Sequence, residues 1–149
     1  MGHMKTIIIV LAVVLVILLG VLLFIYFAKG PTAPSPMPQV ATSADGSITV
    51  SAPGINAMIA SPVAIAGEAM GWYFEAVFPV KILDGDGTVL GEGQAQAQSD
   101  WMTTSSVPFS TTISFTTPKY ATGTIIFRKD NPSGLSKYDE EFSLPIRFR

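Results

Sequence analysis

Few side chains in this 149-residue chain can do acid–base or nucleophilic chemistry. It has no cysteine, and its one histidine is His3. That residue lies in the opening Met1-Gly2-His3-Met4, which reads as a cloning remnant before a Met4 start and is set aside. The commonest general acids and bases, nucleophiles and zinc ligands are therefore missing. Serine and threonine are plentiful, but none stands in a G-x-S-x-G setting. No glycine-rich loop opens a helix where a phosphate would sit. The expectation is a protein with no catalytic residues, no cofactor and no metal.

Three groups of residues merit a closer reading. Asp84-Gly85-Asp86-Gly87 has the start of a calcium loop, with Asp at positions one and three. Continuing that register puts Ala95 where a bidentate Glu is needed, so the stretch reads as a hairpin turn. Trp72, Tyr73 and Trp101 are the notable aromatics, each suited to a binding hot spot or to a small core. The tryptophans are expected to be structural, with Trp101 capping one end of the domain. Tyr73 is expected to share a strand face with Glu75, away from Phe74 and Phe78. Glu75 is read as an exposed carboxylate or one paired with Lys81 or Arg128. Tyr73, Glu75 and Trp101 thus form the candidate partner-binding surface.

The elements that carry these residues follow from hydropathy. From Ile7 to Ala28 no residue is charged. About 20 such residues cross the hydrocarbon core of a bilayer as a helix. The run is too long for a cleaved signal peptide, shows no A-x-A site, and lacks the cysteine of a lipoprotein. Residues 6–28 are therefore expected to be a single-pass signal anchor in contact with the lipid bilayer, after a short flank at 1–5. Lys5 and Lys29 bracket the run and nearly cancel as orientation signals, and Tyr26 sits near its end as an interfacial aromatic. Residues 29–46 form a spacer: Pro31, Pro34, Pro36 and Pro38 make it extended and semi-rigid.

Residues 47–149 show period-2 alternation. About seven strands are expected: around Ile48 and Val50, around Val63 and Ile65, from Phe74 to Ile82, from Thr88 to Gln98, from Phe109 to Phe115, around Ile125 and Phe127, and from Phe142 to Phe148. Glu92, Gln94, Gln96 and Gln98 fall on the polar face of the fourth. Pro145 marks the last as an edge strand or a bulged one. Seven strands in roughly 100 residues, with no amphipathic helix, describe an all-β sandwich of immunoglobulin type. Past the two bracketing lysines, seven bases face eleven acids, a net charge of −4. That balance excludes a nucleic-acid partner, which demands a basic face.

Several motifs in order carry a resemblance. They are Ser61-Pro62-Val63, Ile65-Ala66-Gly67-Glu68-Ala69, Trp72-Tyr73-Phe74-Glu75-Ala76, Phe78-Pro79-Val80 and Leu83-Asp84-Gly85-Asp86-Gly87. Asp100-Trp101-Met102, Val107-Pro108-Phe109, Asp130-Asn131-Pro132-Ser133-Gly134 and Leu144-Pro145-Ile146 continue the series. Together they make residues 47–149 resemble the Gmad2 family, the immunoglobulin-like domain of bacterial spore germination. The resemblance implies a non-enzymatic, extracytoplasmic interaction module of the cell envelope, with a link to sporulation or germination. The chain departs from the family pattern in having no lipobox cysteine and no second germination-type domain.

The expected function is a membrane-anchored module that binds an envelope protein or glycan, with self-association as a further kind of contact. The alternative is a subunit of a pilus-like filament with the apolar helix in the fibre core. Against it, no basic leader ahead of a processing site and no early Glu in the helix are present.

Overall fold

A computed structural model describes residues 2–28 and 39–149 of the chain, the former without the side chains of 2–6, 9, 12 and 25–28. The chain divides into two units, Met1–Ser35 and Pro36–Arg149. The first contains helix α1, Gly2–Ala28, which begins inside the flank expected at 1–5. Its described large apolar side chains are all exposed, from Val14 at 46% to Phe24 at 75%. Among the described residues no helix is long and apolar enough to cross a membrane. Lys29, the side chains of Lys5 and Tyr26, and the spacer up to residue 38 lie outside the described residues.

The second unit has nine strands: β1 (Ala41–Thr42), β2 (Ile48–Ala52), β3 (Met58–Ile59), β4 (Val63–Ala69), β5 (Val77–Asp84), β6 (Val89–Ala97), β7 (Val107–Ile113), β8 (Thr122–Arg128) and β9 (Glu141–Phe148). All seven expected strands are present. The two extra ones, β1 and β3, are two residues each, too short for any periodicity to reveal. β1 falls inside the stretch expected to be spacer, and it pairs Ala41 with Val50 because Ala41 is buried.

The strands form one continuous sheet in the order β1-β2-β4-β7-β6-β5-β8-β9-β3. It curls into an immunoglobulin-like sandwich. β7 and β9 are four places apart, about 19 Å in a flat sheet at ~4.8 Å per strand. Yet the ring of Phe115, just past β7, lies 5.5 Å from that of Phe148 on β9. Phe109 of β7 likewise lies 6.0 Å from Phe127 of β8. Only Gln96 and Ala97 of β6 bond to β7, so this corner is where the sheet folds over.

Alternation supplies the core. β4 reads Val63, Ile65, Gly67 and Ala69 inward, and β9 reads Leu144, Ile146 and Phe148 inward. Gly67 is required by close approach: a Cβ there would sit 2.2 Å from the Thr49 carbonyl oxygen and 2.7 Å from the Phe109 ring. Pro145 is tolerated because β9 lies next to the sheet edge. Its carbonyl accepts from the Asn56 N–H at 2.8 Å, so its donor-less nitrogen faces outward from β8 as well. The expected hairpin at 84–87 is present, with Gly87 at φ 84° and the Asp84 N–H donating to Thr88 at 2.8 Å.

Asp84 has a second role that the turn signal does not reveal. Among the described residues it is the one charged side chain that is buried. Its carboxylate accepts from the backbone N–H groups of Gly85 (2.9 Å), Lys119 (2.8 Å) and Tyr120 (3.2 Å). It thereby ties the β5–β6 hairpin to the β7–β8 connection. Three backbone donors offset the cost of burying the charge.

Candidate functional site

The sheet topology gathers four loops at one end of the sandwich: 43–47, 70–76, 98–106 and 129–140. The register fixes this, since Ile48 pairs with Ala69, Ala69 with Val107, Val77 with Gln96 and Arg128 with Glu141. Trp72, Tyr73, Glu75 and Trp101 all lie here, whereas the Asp84–Gly87 turn lies at the other end of β5.

The 70–76 loop differs most from expectation. No strand runs through Phe74-Glu75-Ala76. Phe74 and Val77 exchange backbone hydrogen bonds, both 3.1 Å, around a two-residue turn. Glu75 and Ala76 occupy it at φ 52° and 67°. Such a turn needs positive φ at both central residues, and Asn-Gly is its usual signal. Glu-Ala carries no such signal, so sequence reading extends the strand through it.

The turn reverses the expected faces. With Phe74 opposite Val77, Tyr73 falls opposite Phe78 and both point inward, their rings 5.2 Å apart. Tyr73 is only 9% exposed, whereas Phe74 is 41% exposed. A change of one position in the pairing moves a side chain to the other face. Tyr73 is thus a core residue and not a surface one. Its hydroxyl donates to the Val107 carbonyl at 2.6 Å, joining the loop to β7. Burial, helped by the negative charge of Glu68, pushes its phenol up to about 12.

Glu75 stands exposed at the tip of the turn. Neither expected cation reaches it: Lys81 pairs with Glu92 at 3.6 Å and Arg128 with Glu141 at 3.1 Å. Trp101 is partly buried and packs on the core edge beneath its loop. Beside it Met102 is 76% exposed, held by an Asx turn in which Asp100 accepts from the Met102 N–H at 3.1 Å. Trp72, expected to be structural, is 2% exposed, and its indole N–H donates to the Ser47 hydroxyl at 3.0 Å.

Ser47 belongs to the neighbouring turn. Asp45 accepts from the hydroxyls of Ser43 (2.6 Å) and Ser47 (3.0 Å) and from the Ser47 N–H (3.2 Å). These bonds, the Ser43 hydroxyl first, lower its carboxyl to about 2. The 129–140 loop closes the end. Asp130 N–H donates to the Trp72 carbonyl at 3.0 Å, and Lys129 and Glu140 pair at 2.6 Å. An open cleft of about 350 Å³ between this loop and the 43–47 turn is lined by Asp45, Trp72, Glu140, Glu141 and Phe142.

The end is therefore a set of loops, three of them joined by hydrogen bonds, that presents Phe74, Glu75 and Met102 to solvent. Sequence reading selected Glu75 and Trp101 here but missed Phe74 and Met102. Only the unsignalled turn exposes Phe74. Loop position was the available signal for Met102. Loops with exposed apolar and charged tips suit surface recognition.

No curated protein matches the chain. Residues 47–136 match the model of the Gmad2 family, described as the immunoglobulin-like domain of bacterial spore germination. The match spans β2 to β8, the 70–76 and 98–106 loops and the 129–140 loop up to residue 136, and takes in only Ser47 of the 43–47 turn. It stops short of β9 and of Leu144-Pro145-Ile146, so the resemblance drawn to residue 149 is shown as far as 136. With more than half of its length matched in an immunoglobulin-like fold, the chain belongs to the Gmad2 family.

Proposed function

We propose that the chain is a single-pass, membrane-anchored interaction module of the bacterial cell envelope. Its immunoglobulin-like domain stands on the extracytoplasmic side and binds a protein or glycan partner, without catalysis. The family description supports a link to spore germination.

The observation that carries this reading is the uncovered apolar helix. Fifteen large apolar side chains of α1 are exposed. Covering each is favourable by about 1.5–3 kcal/mol, so an apolar medium around them would be favoured by on the order of tens of kcal/mol, which supports the reading. In the sequence the uncharged run Ile7–Ala28 has 22 residues, against the about 20 apolar residues that cross a hydrocarbon core as a helix. The net charge of −4 beyond Lys29 fits an exported domain.

Envelope fractionation tests the reading. The full chain should stay in the membrane pellet through an alkaline carbonate wash and enter detergent as a particle with its N-terminus intact. Recovery in sheared fibres, or with a trimmed N-terminus, would instead assign the apolar helix to a filament core.

A further inference from the structure

The loop end has a character that the rest of the domain lacks. Among the described residues of 39–149, nine large apolar side chains are exposed, and five of them lie on these loops: Met70, Phe74, Met102, Leu135 and Tyr138. The end lies opposite the point where the chain enters the domain. Gln39 accepts from the Ile55 N–H at 3.1 Å, beyond the C-terminal end of β2, whereas the loops surround its N-terminal end at Ile48. A domain tethered through residue 39 therefore carries these apolar tips at its far end.

Charge selects what can cover them. Residues 43–47, 68–76, 98–106 and 128–141 hold eight of the eleven carboxylates and three of the seven cations beyond Lys29, a net charge of −5. The rest of the domain holds three carboxylates and four cations, a net charge of +1. Two of the three cations are already paired, Arg128 with Glu141 and Lys129 with Glu140. Glu75 and Asp100 make no ion pair among the described residues, and both flank the exposed Phe74 and Met102. Like charge repels an anionic lipid surface, a polyanionic glycan and the same end of a second copy. Attraction remains for a surface that brings positive charge and apolar area together.

We infer that the loop end docks a basic protein segment, with Phe74 and Met102 as apolar anchors and Glu75 and Asp100 as charge contacts. This rests on the interaction-module reading above and names its partner class. Buried apolar anchors rimmed by complementary charge are the usual division of labour at an interface: anchors hold, and charges steer and select.

Site-specific photo-crosslinking in intact envelopes tests it. A photoreactive residue is placed in the full-length chain at Met102 or, for comparison, at Gln94 on the outer face of β6. Crosslinked peptides are then identified by mass spectrometry. The expected result is a crosslink from Met102 to a protein segment of net positive charge. Its yield should fall about threefold in the double variant Glu75→Gln, Asp100→Asn, which changes the charge of the end from −5 to −3 and keeps an acceptor oxygen for the Met102 N–H. Both residues are exposed, so the substitutions leave the core untouched. A crosslink from Met102 to lipid, glycan, a second copy or a neutral or acidic segment overturns the inference. An undiminished yield in the double variant does the same. Crosslinks from Gln94 alone overturn it while leaving the interaction reading in place, and none from either position overturns both.

Discussion

Replacing Tyr73 by phenylalanine removes one oxygen from the core, and its cost separates a core tyrosine from a surface one. The lost O–H donates to the Val107 carbonyl at 2.6 Å inside a side chain only 9% exposed. A net hydrogen bond contributes ~1 kcal/mol, so losing this buried one costs about 1–1.5 kcal/mol. For a domain of this size that lowers the melting temperature by roughly 5–10 °C. The assay is thermal unfolding of the full-length chain in neutral detergent, followed by near-ultraviolet circular dichroism. Alkaline pH adds a signature that packing alone lacks. The folded phenol titrates at about 12 against 10.0 ordinarily, mainly through burial. Its contribution is fully present below pH 10 and is lost as pH rises through about 12. The gap between wild type and Tyr73→Phe should narrow across that window. Equal stability of the two proteins at pH 8, or a gap unchanged up to pH 12, would refute the placement of Tyr73 in the core.

Three further outcomes follow from the same geometry. Glu75→Asn with Ala76→Gly should stabilise the domain by about 1 kcal/mol in chemical denaturation, because both native residues sit at positive φ without the usual Asn-Gly; a destabilised variant would contradict the turn. Asp84→Ala should cost about 3 kcal/mol by leaving the Lys119 and Tyr120 N–H groups without their acceptor. A cost below about 0.5 kcal/mol, as at an ordinary surface site, would contradict its role as a tie between loops. In carbon-detected NMR titration Asp45 should stay ionised down to about pH 2, and Ser43→Ala should raise it toward the ordinary carboxylate range. Its stabilising effect is present above the ordinary value of 3.8 and lost as pH falls through about 2; an ordinary titration in the native protein would remove the Ser43 bond.

Much of the fold was legible because alternation is a direct record of burial. β2, β4, β7, β8 and β9 each bury the residues that their pattern selects. Two-residue strands leave no such record, which is why β1 and β3 appear only in three dimensions. The candidate site was half legible. Glu75 and Trp101 lie on the loop end, but Tyr73 and Phe74 exchange faces because a tight turn is built from residues that rarely form one. No local pattern distinguishes Glu-Ala in such a turn from Glu-Ala in a strand. The hydrogen bonds from Tyr73 to the Val107 carbonyl and from the Ala97 N–H to the Ala76 carbonyl tie it from outside. Asp84 was legible as a turn residue and not as a buried one, since its acceptors' partners lie 35 and 36 residues away.

The placement of the domain outside the membrane is tested most directly by thiol accessibility. The chain has no cysteine, so Gln94→Cys on the exposed face of β6 introduces a single thiol. In intact cells stripped of their wall it should react with a membrane-impermeant maleimide, and the labelled chain should remain in the membrane pellet after an alkaline carbonate wash. Reaction only after the membrane is opened, or release of the labelled chain by the wash, would contradict an anchored, extracytoplasmic module.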